Sequence, residues 1–160
     1  MYYSIFTVFY TSVSESCSDV ILRSEALPVI VDHITNSNRN KVTLNKAKIA
    51  INILFNLSMW PAICRRMLDY HSSMVQVLID IMIKVHATYL DVYLIALQTL
   101  LNICRQNCNH IQKMPNLKGL TKKLISMNDQ IKKKASSKPA TELQQNVLSL
   151  MKQLLLLIPC

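Results

Sequence analysis

Glycine occurs once in the 160 residues, at Gly119. An average chain carries about 7% glycine, so the shortage removes whole classes of site. Phosphate-cradling loops, dinucleotide turns, nucleophile elbows and type I′ hairpins need glycine where the backbone takes positive φ or approaches a ligand closely, and none can be built here. Acidic residues are also scarce, nine Asp and Glu against 18 Lys and Arg, for a net charge of +9. No uninterrupted apolar stretch reaches the roughly 18 residues of a membrane helix. Asp80, Lys84 and His86 interrupt 75–90, Pro61 cuts 53–64, and 154–158 is too short. The opening 1–13 has neither the basic start nor the small-residue cleavage pattern of a secretory signal. These shortages predict an intracellular, soluble chain without membrane insertion. Cys17, Cys64, Cys104, Cys108 and Cys160 are odd in number and scattered through apolar helical contexts, which fits a reducing compartment better than a disulfide framework.

What the chain does have is helix-forming material, 51% apolar and arranged in amphipathic runs bounded by turn residues. The periodicity predicts helices over 2–13, 15–23, 25–36, 43–58, 60–70, 72–87, 89–106, 108–113, 116–128 and 140–157. The stretch between Thr35 and Lys41 is polar throughout, Pro61 and Pro115 stand at helix starts, and Ser72 and Ser73 offer caps. The expected fold class is all-α.

Laying the chain on itself with a shift of 46 residues pairs Ile49 with Ile95, Ala50 with Ala96, Leu54 with Leu100 and Asn56 with Asn102. The same shift pairs Leu78 with Leu124 and Ile79 with Ile125. A weaker copy lies upstream, where 5–12 takes the place of 51–58, and Ile30, Val31 and Ile34 match Val77, Leu78 and Ile81 at a shift of 47. A period of this length belongs to the armadillo/HEAT class, so the expected architecture is a right-handed α-solenoid of about three repeats plus a C-terminal helix. Armadillo-like repeats are expected over 1–128, a basic flexible linker over 129–139, and a C-terminal helix over 140–160 packing on the solenoid end. Both ends enter or leave the pattern without a polar capping unit, from which a C-terminal piece of a longer protein is expected.

Within the longest helix of each unit, Ala50-Ile51-Asn52-Ile53-Leu54-Phe55-Asn56-Leu57-Ser58 recurs as Ala96-Leu97-Gln98-Thr99-Leu100-Leu101-Asn102-Ile103-Cys104. This resembles the armadillo consensus for the third helix of a repeat. In that family a late Asn faces the concave groove and binds the backbone of an extended peptide, with a Trp one turn earlier in nuclear-import receptors. Asn52 and Gln98 stand where that Trp would be, so an import groove is not expected. Asn52, Asn56, Gln98 and Asn102 are the candidate partner groove. Two readings stay open for the pair Asn56 and Asn102: a peptide-binding ladder, or helix-terminal amides that satisfy neighbouring backbone groups. Trp60, beside Pro61, reads as core or turn packing.

Charge is unevenly spread, with net +2 over 1–112 and net +7 over 113–160. Lys113, Lys118, Lys122, Lys123, Lys132, Lys133, Lys134 and Lys138 form a basic segment opposed only by Asp129, suited to salt-sensitive attraction to a polyanion or serving as a solvated loop. Leu117, Leu120, Leu124, Met127 and Ile131 follow helical spacing, which serves either core packing or a calmodulin- or lipid-binding face. Core packing is the preferred reading. Ile111-Gln112 opens like an IQ motif, but Pro115 breaks the helix and the following arginines are missing. Cys104, Cys108 and His110 lack a fourth ligand at workable spacing, so no metal or other cofactor is expected. His33, His71, His86 and His110 stand apart, and no nucleophile, base and orienting acid can be assembled, so no catalysis is expected. A helical-repeat RNA reader is disfavoured because stacking side chains do not recur at regular positions, and specific nucleic-acid binding is not expected.

The order of features from Cys17 through Lys134 resembles the C-terminal armadillo-like region of the abnormal spindle family, the microcephaly-associated spindle-pole proteins. Ser24-Glu25-Ala26-Leu27, Asn38-Arg39-Asn40, 53–58, 77–82, Thr99-Leu100-Leu101 and 122–127 carry the resemblance. It implies a non-enzymatic, microtubule-associated module in mitotic spindle organisation, with microtubules or spindle-pole proteins as partners. Implied locations are cytoplasm, cytoskeleton and spindle pole, with a nuclear phase in interphase. Calmodulin would bind only through IQ repeats outside this segment. The runner-up expectation is an armadillo adaptor that binds an extended peptide in trafficking or signalling.

Overall fold

The computed structural model describes residues 5–24, 26–36, 41–70, 73–84, 89–106, 116–135 and 141–157. Among them the chain is all-helical: α1 (Ile5–Thr11), α2 (Glu15–Arg23), α3 (Ala26–Thr35), α4 (Lys41–Ser58), α5 (Pro61–Tyr70), α6 (Ser73–Lys84), α7 (Leu90–Gln106), α8 (Leu117–Ala135) and α9 (Glu142–Leu157). Local chemistry sets several boundaries. α5 starts on Pro61, whose missing N–H costs nothing in a first turn, and the Trp60 carbonyl accepts from the Cys64 N–H at 2.8 Å. α9 opens with a reciprocal capping box, in which the Thr141 N–H donates to Gln144 Oε1 at 2.9 Å and the Gln144 N–H to Thr141 Oγ1 at 3.3 Å. Pro28 falls in the first turn of α3, where it breaks no helical bond.

Helices pack on their counterparts in neighbouring units. α1 packs on α4, α4 on α7 and α7 on α9; α3 packs on α6 and α6 on α8; α2 packs on α5. The buried apolar side chains form one cluster running from Val8 in α1 to Leu154 in α9. Ala50 and Ala96, Ile51 and Leu97, Leu54 and Leu100, and Leu57 and Ile103 are all buried, so the 46-residue shift is a shift of core positions. The upstream copy keeps the register: Val8 is buried where Leu54 is, and Ser12 where Ser58 is. Trp60 is half-buried against this core.

The eighth helix departs from expectation. It runs to Ala135, so 129–135 is helical where the sequence reading placed the start of a flexible basic linker. Ile131 is the reason. It is 6% exposed and extends the buried stripe of Leu120, Leu124 and Met127 by one more turn, while lysine is a good helix former on the solvent side. The same stripe is core, which closes its calmodulin- or lipid-facing reading. The remainder of the linker, 136–139, and the short helix predicted at 108–113 lie outside the described residues. Gly119 lies where the first turn of α8 crosses the end of α6, and a Cβ there would stand 3.3 Å from Ile83 Cδ1.

No single helix among the described residues is long and apolar enough to cross a membrane.

Candidate functional site

The four residues of the expected groove occupy equivalent turns of α4 and α7, all half-buried. Two of them form the same bond one unit apart. Asn56 Nδ2 donates to Ser12 Oγ at 2.9 Å, and Asn102 Nδ2 donates to Ser58 Oγ at 3.1 Å. Each serine hydroxyl in turn donates to the carbonyl three residues back, Ser12 to Phe9 and Ser58 to Phe55, both at 2.7 Å. A hydroxyl has one proton and two lone pairs, so it serves as acceptor and donor at once without conflict. One of the two N–H donors of each asparagine amide is thereby held by the preceding unit, leaving the second N–H and Oδ1 for other contacts. Ser12 and Ser58 were already aligned by the 46-residue shift, and a hydroxyl 44 residues before each Asn was the signal for this link.

Asn52 turns back on its own helix, Nδ2 donating to the Lys48 carbonyl at 3.0 Å. Gln98, its counterpart, instead faces a hollow of about 330 Å³ between α4, α7 and α9. Phe55, Met59, Leu101 and Leu150 form the apolar walls of this hollow, and Gln98, Asn102 and Arg105 its polar rim. Sequence reasoning found Gln98 and Asn102 and missed the other five. Arg105 stands 46 residues after Met59, so the cation belongs to the second unit alone. Its Nη2 lies 3.3 Å from Gln153 Oε1 of α9.

Three ion pairs form among the described residues: Arg23 with Asp19, Arg66 with Asp19, and Lys48 with Asp91. The last two join successive units. Partial burial pushes the Asp91 carboxyl up, but the 2.6 Å hydrogen bond and the charge of Lys48, with the Val92 N–H, outweigh it and hold the group below the usual carboxylate range. Both partners are well exposed, so the pair aligns α4 with α7 more than it stabilises them. At the start of α8, Asn116 Nδ2 donates to Asp80 Oδ1 of α6 at 2.7 Å, and the same oxygen accepts from Gln76 Nε2 at 2.7 Å, tying the helix start to α6.

The basic residues divide by position. Lys118, Lys122, Lys132 and Lys133 are exposed on α8, Lys123 is half-buried, and Lys134 lies in the last turn. Lys113 and Lys138 lie outside the described residues. Lys122 and Lys133 flank a shallow depression of about 500 Å³ that also takes in the exposed Ile125 and Asp129.

No group of three His, Cys, Asp or Glu side chains converges among the described residues. Cys108 and His110 lie outside them. Cys64 is buried in α5 and desolvation pushes its thiol up to about 11 from 9.0. The unfolded chain therefore loses this proton first. Stability from the neutral buried thiol is complete below pH 9 and falls as pH rises towards 11, by up to about 3 kcal/mol. Melting temperatures measured across this range should drop less in Cys64→Ser, which gives α5 the residue that the preceding unit carries at Ser18. An unchanged drop would mean that Cys64 does not set the alkaline limit.

No protein-family model, curated protein or solved structure matches the chain.

Proposed function

We propose that the chain is a non-catalytic protein-interaction module, an armadillo/HEAT-like solenoid of the kind found at the end of abnormal-spindle-type proteins, acting at the spindle pole. The observation that supports this most is the repeated joint. Asn56 to Ser12 and Asn102 to Ser58 are one bond made twice at equivalent places, together with helices that pack on their counterparts one unit away. Units that cannot bury their apolar faces alone, and are keyed to their neighbours, make extended surfaces for holding other proteins. The spindle-pole setting comes from the family resemblance, and the net +7 of 113–160 suits the acidic surface of a microtubule.

The chain should pellet with microtubules at low salt and lose that affinity as salt screens it. Substituting Lys132→Glu, Lys133→Glu and Lys134→Glu together should reduce the pelleted fraction several-fold without moving the melting temperature. Pelleting that survives the triple substitution would remove the basic helix from this reading, and failure to pellet at any salt would remove the microtubule.

A further inference from the structure

We propose that the hollow between α4, α7 and α9 binds an internal segment of a partner protein, taking one bulky aliphatic side chain between its walls and pairing a neighbouring Asp or Glu of that segment with Arg105. The proposal rests on the interaction-module reading and names the ligand chemistry of its groove. At about 330 Å³ the hollow is at the small end of ligand pockets, the size for an anchoring side chain and not for a cofactor. Phe55, Met59 and Leu150 offer apolar contact, and Met59 is 57% exposed. Flexible methionine at a hollow's edge adapts to varied aliphatic guests.

Charge selects the second element of the ligand. Arg105 is absent from the three ion pairs of the described residues, and its contact with Gln153 is a long one to a neutral amide. A guanidinium held by a neutral group beside an apolar wall favours a carboxylate, which it binds with paired, charge-assisted hydrogen bonds. Gln98 has no hydrogen-bond partner among the described residues and is free to read the peptide backbone at the same rim. The mode differs from a ladder of backbone-binding asparagines in that the Arg105 guanidinium and the apolar walls select the ligand, while one N–H of the Asn102 amide is held by Ser58. A net positive chain adds long-range attraction for an acidic segment but does not choose its apolar residue.

The test is fluorescence anisotropy of the intact chain with a labelled synthetic peptide in which one leucine is flanked by glutamates in a Gly/Ser background. Saturable binding is expected. It should weaken by roughly tenfold or more when the glutamates become glutamines, when the leucine becomes serine, or in the exposed-site variant Arg105→Glu. Gln98→Trp, which fills the hollow, should also abolish it, while microtubule pelleting stays unchanged in both variants. Absence of saturable binding overturns the proposal. Equal binding of the serine peptide, or loss of binding on Lys122→Glu with Lys133→Glu but not on Arg105→Glu, also overturns it by placing the affinity on the basic face of α8. Because pelleting is read separately, failure of the hollow and failure of the microtubule reading are distinguishable.

Discussion

Ending the chain before Glu142, so that α9 is lost, should abolish cooperative unfolding. α9 lies along α7 and buries Val147, Met151 and Leu154 almost completely, with Leu148, Leu150, Leu155 and Leu157 packed beside them. Fully burying one such side chain is worth about 1.5–3 kcal/mol, so these three alone represent roughly 5–9 kcal/mol. That matches the whole stability of many domains, about 5–15 kcal/mol. Removing the helix also bares the apolar face of α7. The truncated chain should therefore show a broad, low-amplitude thermal transition by circular dichroism and bind a hydrophobic dye at room temperature. A sharp transition within a few degrees of the full chain would show that α9 contributes little to the stack.

Tyr93→Ala should be the most damaging single substitution. Tyr93 is the largest fully buried side chain, and its hydroxyl donates to the Met82 carbonyl at 2.6 Å, bridging α7 to the end of α6. Truncating an aromatic in a core typically costs about 3–5 kcal/mol. Tyr93→Phe keeps the volume and removes the bond, leaving a carbonyl short of a partner, for about 1–2 kcal/mol. Chemical denaturation of the two variants separates packing from hydrogen bonding. Equal losses in both would place the whole effect on the hydroxyl. Desolvation also pushes the Tyr93 phenol well above its ordinary range, so the wild-type chain should lose more stability above pH 10 than Tyr93→Phe, which keeps only the Cys64 share of the loss.

The repeat was legible because most matches fell on positions that face a neighbour, the pair of buried Ile79 with exposed Ile125 being an exception. Ala50 and Ala96 are small where helices approach, and Leu54 and Leu100 fill the same layer one unit on. Tyr93 was not legible in this way. It stands where the preceding unit has Ala47, a change of size that pairwise matching counts as a mismatch although Tyr93 is the largest fully buried side chain. The extension of α8 departs from the sequence reading because the lysines at 132–134 and the small, polar stretch after them outweigh the one apolar residue, Ile131, that carries the helix on. Of the hollow, only Gln98 and Asn102 on its rim had a signature in the chain. Phe55, Leu101 and Leu150 come from three helices and look like ordinary core residues in each, so only their assembly exposes a gap between them. Asn56 and Asn102 share their place in two helices, and the serines that accept from them stand in the same alignment.

One consequence concerns mechanics. The Ser12 and Ser58 joints work like a key in a slot, since a hydrogen bond between fixed turns fixes how far one unit slides along the next. Following the same spacing once more gives Cys104 in place of the serine and Leu148 in place of the asparagine. The key is thus replaced by a thiol, a weak acceptor, and a side chain that donates nothing. Between α7 and α9, apolar packing is joined by the exposed Arg105 contact with Gln153. Under a pull along the row of helices, the first two joints resist slip through the same half-buried amide–hydroxyl bond, whereas the last lacks that pair of residues and carries its long contact at an exposed arginine, beside the hollow.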